Sequence, residues 1–68
     1  MFTVSRRQYW QALTEYFYDN VYPGMYHIST WIKHEYRGKC EVYSDYIRFD
    51  NPQDQLMFML RWGDRVEA

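Results

Sequence analysis

A chain of 68 residues with a single cysteine has room for one small core, and it cannot close an internal disulfide or a Cys-pair zinc site to staple that core. Eight basic and nine acidic side chains leave a net charge of −1, which disfavours a general coating role on nucleic acid or anionic lipid driven by a long-range field. No apolar run approaches the length of a membrane span, and the charges after Met1 to Ser5 are followed by no hydrophobic segment of the signal-peptide kind, so a soluble, cytoplasmic protein is expected.

Met1 to Val4 is apolar enough to be a docked terminus or a brief edge strand. Ser5-Arg6-Arg7-Gln8 then matches a capping box, in which the Ser hydroxyl and the Gln side chain each satisfy an end donor. Tyr9/Trp10, Leu13, Tyr16/Phe17 and Asn20/Val21 follow at helical spacing, which predicts an amphipathic helix over about 5–20. Arg6 and Arg7 sit in its first turn, against the dipole, as exposed charges or as a contact to a partner. Pro23-Gly24 suits the centre of a type II turn, where the chain reverses. Ile28, Trp31, Ile32, Glu35 and Tyr36 recur at i, i+3, i+4, i+7 and i+8, so a short second helix is predicted over about 30–36, capped by Ser29 and ended by Gly38. The β-branched Ile28, Thr30 and Ile32 leave a strand over 25–32 as the alternative.

Lys39–Tyr43 and Tyr46–Phe49 form a predicted hairpin around Ser44-Asp45. Two strands are marginal alone, so this pair needs helices across one face or a third strand, from Met1–Val4, from Met25–Ile32 or from a second subunit. The stretch after it starts a helix by a definite mechanism. Asn51 accepts from free N–H groups, Pro52 has its φ preset and Asp54 meets the positive end of the dipole. A helix over about 52–61 with a stop at Gly63 follows, although Leu56, Phe58, Leu60 and Trp62 also alternate as in a buried strand. In either form the segment is expected to be buried on most sides. Asp64 to Ala68 reads as a frayed polar tail. Together these elements predict a single α+β domain over 1–68, with two helices, a hairpin and a C-terminal helix.

Chemistry-bearing residues are few. His27, His34 and Cys40, near Glu35, Glu41 and Asp45, are the only metal-ligand types close in sequence, but the histidines are seven apart rather than at the i, i+4 spacing of a helical site. Cys40 with His34 lacks the oxyanion donor and pocket that nucleophilic catalysis requires. The three glycines are isolated, so no phosphate-binding loop is present. No catalytic, cofactor-binding or metal-binding residue is therefore assigned. With eight tyrosines, four phenylalanines and three tryptophans, the chain has more ring surface than one small globule easily hides. Tyr18 and Tyr22 on the first helix, Tyr43, Tyr46 and Arg48 on the hairpin, and Arg37 at its edge are the types that protein interfaces enrich. The same Tyr and Arg residues stack on unpaired bases, which keeps a single-strand nucleic-acid binder as the alternative, but Glu41, Asp45 and Asp50 interrupt the patch and the net charge is wrong for it. A small metal protein or enzyme is the third reading. The expected function is a non-enzymatic protein-interaction module, with a second copy in a homodimer as the first partner.

Trp31-Ile32-Lys33-His34-Glu35-Tyr36-Arg37-Gly38, then Ile47-Arg48-Phe49 and a helix containing Asp54 and ending Leu60-Arg61-Trp62-Gly63, resembles small accessory proteins encoded by large tailed bacteriophages of marine bacteria. The likeness covers residues 26–63. It implies a virus-encoded accessory protein acting in the host cytoplasm, with a host protein as a further partner, and it carries no catalytic residues with it.

Overall fold

A computed structural model describes residues 2–65. The elements are strand β1 (Phe2–Ser5), helix α1 (Arg6–Tyr16), a π-helical turn over Phe17–Val21, helix α2 (Ile28–Glu35), strands β2 (Cys40–Val42) and β3 (Tyr46–Phe49), and helix α3 (Pro52–Gly63). The class is α+β, as the sequence predicts. The third strand that the hairpin needed is the N-terminus. All pairings are antiparallel in the order β1-β3-β2, with Val4 and Val42 both opposite Ile47, and Phe2 and Cys40 both opposite Phe49. Strand alternation therefore puts these apolar residues on one face, towards the helices, and leaves Thr3, Ser5, Glu41, Tyr46 and Arg48 on the other.

Ser5 ends β1 and caps α1 at once, its hydroxyl accepting from the Gln8 N–H at 3.3 Å. The helix does not run regularly to Asn20. Beyond Tyr16 it widens into the π turn, where the Tyr22 N–H donates to the Phe17 carbonyl five residues back at 2.8 Å. The Pro23-Gly24 turn also closes one residue earlier than a type II turn would. Gly24 N–H donates to the Val21 carbonyl at 2.8 Å, so Pro23 takes the third position, behind a cis Tyr22–Pro23 bond.

Residues 25–32 are not a strand. α2 starts at Ile28, two residues before the predicted start, because Ile28 packs against the core and draws the first turn with it. His27 precedes it without a side-chain cap, and Ser29 falls inside the helix. At the other end the Gly38 N–H donates to the Lys33 carbonyl at 2.9 Å and the Arg37 N–H to the His34 carbonyl at 3.1 Å, the paired bonds of a Schellman ending. Arg37 takes the first left-handed position, φ 57°, and Gly38 follows at 77°.

α3 is a helix, and its cap is built as its sequence specifies. Asn51 Oδ1 accepts from the Asp54 N–H at 2.8 Å, and Asn51 Nδ2 donates to Asp54 Oδ2 at 3.0 Å. Gln55 Nε2 reaches back to the Thr3 carbonyl at 2.8 Å, tying α3 to β1. The expectation that 56–62 is buried on most sides is overturned. Only Phe58 and Trp62 of α3 are buried, whereas Leu56 is 57% exposed, Met57 61%, Met59 42% and Leu60 68%. The reason is geometric: α1, β1 and β3 all lie against one side of α3, and a sheet of three short strands is too narrow to wrap the rest. Asp64 and Arg65 continue past α3 in a turn, Arg65 N–H donating to the Trp62 carbonyl at 3.1 Å; the rest of the predicted tail lies outside the described residues.

The core is aromatic. Phe58 packs edge-on to Tyr9 of α1 with ring centroids 5.0 Å apart, and against Phe49 of β3 at 5.4 Å. Trp62 packs edge-on to Tyr16 at 5.2 Å and Trp31 of α2 at 6.1 Å. Among the described residues the core holds no buried polar or charged side chain.

Two sides of one helix should therefore respond differently in urea unfolding. Phe58→Ala removes a buried ring and should cost about 3–5 kcal/mol, enough to unfold much of so small a protein. Leu60→Ala, measured at low protein concentration, should stay within about 0.5 kcal/mol, and Asn51→Ala should cost about 0.5–2 kcal/mol through loss of its cap.

Candidate functional site

Successive residues of a helix turn by 100°, so a run of five large apolar residues cannot all face one way. Leu56-Met57-Phe58-Met59-Leu60 is such a run. With Phe58 and Trp62 directed inward, Leu56 and Leu60 fall on the opposite side and Met57 and Met59 on its two flanks. All four outer residues are exposed, and together they form an apolar patch on the order of 400 Å², the size of the largest patch on an ordinary monomer, which is often a functional one. Beside it runs an open groove of about 750 Å³ between α3 and the end of α2, with Met57 and Leu60 on one wall and Tyr36, Arg37 and Lys39 on the other. Arg61 Nη1 crosses it to Glu35 Oε1 at 3.1 Å, an exposed ion pair worth little energy by itself. Its guanidinium also lies over the Trp62 ring, 4.8 Å from the centroid, so the polar rim is anchored on the core.

The six residues singled out from sequence occupy three separate places. Tyr18 and Tyr22 come together on the π turn at 5.4 Å, and Tyr26, which the sequence reading passed over, extends the row at 5.7 Å from Tyr22. Tyr43 and Tyr46 stack on one another at the tip of the hairpin, 4.8 Å apart and within 25° of parallel, so each ring spends one face on its neighbour. Arg48 lies on the same outer sheet face but is paired with Asp50 at 3.2 Å and stands opposite Glu41, which itself holds Lys33 at 2.6 Å. Arg37 sits apart, in the groove beside α3. Arg6 is a structural tie: its Nη1 donates to the Tyr43 carbonyl at 3.2 Å while its guanidinium covers the Trp10 ring at 3.9 Å, fastening the hairpin tip to α1.

Comparison with family models, with curated proteins and with solved structures finds no match. The site is therefore read from its own chemistry. Among the described residues no group of three or more His, Cys, Asp or Glu side chains is placed to hold a metal ion. His27 and His34 are exposed at opposite ends of α2. Cys40 is fully buried and its thiol donates to the Ile32 carbonyl at 3.7 Å. Burial pushes that thiol up from 9.0 to about 11, the reverse of what activates a nucleophilic cysteine. Tyr36, half-buried beside Phe49 and Phe58, is pushed up from 10.0 to about 12, again chiefly by burial.

Hydrophobicity alone does not single out the outer face of α3, because a run of large apolar residues is expected in a core. The signal that finds it lay in the same letters. A helix apolar all round is either enclosed or partnered, and a chain of this length lacks the material to enclose one.

Both raised groups predict alkaline destabilisation. The folded protein keeps protons that the unfolded chain has already released, so the stabilisation is complete below pH about 9 and is lost as pH rises, through about 11 for Cys40 and about 12 for Tyr36. Urea midpoints measured from pH 7 to 11 should fall above pH 9. Cys40→Ala should be less stable at neutral pH yet show a shallower fall between pH 9 and 11 than the native chain.

Proposed function

We propose that this protein is a small, non-enzymatic, cytoplasmic interaction module that works as a homodimer through the outer face of α3. An accessory role of the kind implied by the resemblance to tailed-phage proteins fits such a module. One observation carries the reading: Leu56, Met57, Met59 and Leu60 are large, contiguous and exposed on a regular helix whose other side is the centre of the core. Keeping four such side chains in water forgoes hydrophobic stabilisation in a protein with little to spare, and a second copy recovers it. The polar border of Glu35, Arg37, Lys39 and Arg61 along one side of the apolar patch is of the kind that rims protein interfaces.

The sheet edge is the weaker route to the same end. Of the two edge strands, β1 has four residues with its Thr3 carbonyl occupied by Gln55, and β2 has only three, so little remains for a second sheet to pair with. The tyrosine clusters at the π turn and hairpin tip satisfy part of their ring surface on one another, whereas the four apolar side chains of the α3 patch remain 42–68% exposed.

Sedimentation equilibrium over a dilution series should show a reversible dimer, and the thermal midpoint should rise with protein concentration. Leu60→Lys should weaken association by at least about tenfold while leaving the circular dichroism of the monomer intact. A native chain that stays monomeric up to high micromolar concentration, with a midpoint independent of dilution, would refute the proposal.

A further inference from the structure

The outer stripe of α3 has an internal symmetry that specifies how two copies meet. Opposite Phe58 and Trp62 the helix presents Gln53, Leu56, Leu60 and Gly63, spaced by three, four and three residues, which is the a-d-a-d spacing of two helices packed side by side, with leucine at the two central positions. The run Leu56-Met57-Phe58-Met59-Leu60 reads the same in both directions, with Phe58 at its centre. We infer that the dimer is formed by α3 packing antiparallel on the partner's α3 about a two-fold axis level with Phe58, so that Leu56 faces the partner's Leu60. This rests on the proposal that the outer face of α3 is a self-association surface, and it adds the geometry.

The two possible directions differ in what they place opposite what. A parallel pair sets each residue on its own copy. Gln53 then meets the partner's Gln53 and Gly63 meets the partner's Gly63, which crowds two amides at one end, leaves a gap at the other and aligns like helix poles. An antiparallel pair sets Gln53 over the partner's Gly63 at both ends. The space where a Gly63 side chain would project is open, with no atom within 4 Å, so the longer side chain is accepted there and its amide stays at the rim. Two equivalent Leu56–Leu60 layers fill the centre. The two Met57 side chains approach one another on one flank and the two Met59 side chains on the other, where unbranched thioethers adapt to the fit. Opposite helix poles lie side by side. Two patches on the order of 400 Å² bury on the order of 800 Å² in total, below the range of stable specific interfaces, so the dimer is a weak, transient one that dissociates on dilution.

The test is disulfide trapping in the full chain. Leu56→Cys and Leu60→Cys are made separately, one of them ¹⁵N-labelled so that mixed and like pairs differ in mass, and equilibrated alone and together in a glutathione redox buffer. Native Cys40 is fully buried and does not compete. In the antiparallel register only a Leu56→Cys chain and a Leu60→Cys chain come level. Two Leu56→Cys chains lie about 6 Å out of step along the axis, beyond the separation of about 7 Å that a disulfide spans once the gap between the helices is added. The mixed pair should exceed either like pair by roughly an order of magnitude, with each variant's circular dichroism unchanged. Like pairs equal to or above the mixed pair would overturn the antiparallel register. Absence of any crosslink while the native chain sediments as a dimer would overturn it as well and leave the dimer itself standing. A native chain that sediments only as a monomer would remove both.

Discussion

The ring of Phe58 is the contact on which the fold depends. It touches Tyr9 from α1, Tyr36 after α2, Phe49 from β3 and Trp62 one turn further along α3, with centroid separations from 5.0 to 6.4 Å. Every layer of the protein therefore meets at one side chain. In a chain with few interior positions, such a convergence replaces the redundancy of a larger core, and aromatic edge-to-face packing supplies direction as well as area. Trp62 repeats the pattern with Tyr16 and Trp31. The cap at Asn51 and the tie from Gln55 to Thr3 set the start of α3 so that both rings point inward.

That arrangement has a consequence for function. A helix held by Phe58 and Trp62 alone needs one apolar residue per turn, and α3 carries many more than that. The surplus cannot be absorbed by a sheet three strands wide, because its inner face is already occupied by Ile47, Phe49, Val4 and Cys40. The same rigidity that fixes the inner rings fixes the outer Leu and Met side chains, so the exposed face is presented on a regular helix rather than on a loop, with little ordering left to be done on association. The groove alongside and the Arg61–Glu35 pair in it give that apolar surface a charged border on one side.

Much of the fold was legible in the letters, for local reasons. Ser5, Asn51 and Pro52 act within three residues of themselves, and the helices they open start where they are predicted to; the turn of the hairpin at Ser44-Asp45 is equally local. What was not legible depended on distant partners. Whether Met1–Val4 would be a strand was decided by β3, some forty residues away in the chain. The early start of α2 followed from the burial of Ile28. The widening of α1 at Phe17 has no marker in composition. The candidate site failed to show for a different reason: hydrophobicity gives the tendency of a side chain to leave water, not whether its own chain has anything to cover it with. Leu56 and Leu60 were read as interior because Phe58 and Trp62 are, and only the narrowness of the sheet separates the two pairs. Tyr18, Tyr22, Tyr43, Tyr46, Arg37 and Arg48 stand out by residue type, and the fold distributes them over three places.

The claim that one side of α3 holds the fold while the other holds a second copy is tested most directly by the methionine methyl resonances as a function of protein concentration. Met57 and Met59 flank the outer face, whereas Met25 packs against the core from the loop before α2 and serves as an internal reference. On dilution the Met57 and Met59 signals should shift together along one binding isotherm while Met25 stays fixed. Fixed Met57 and Met59 signals across a range in which sedimentation shows association, or a shift centred on Met25 instead, would contradict the account.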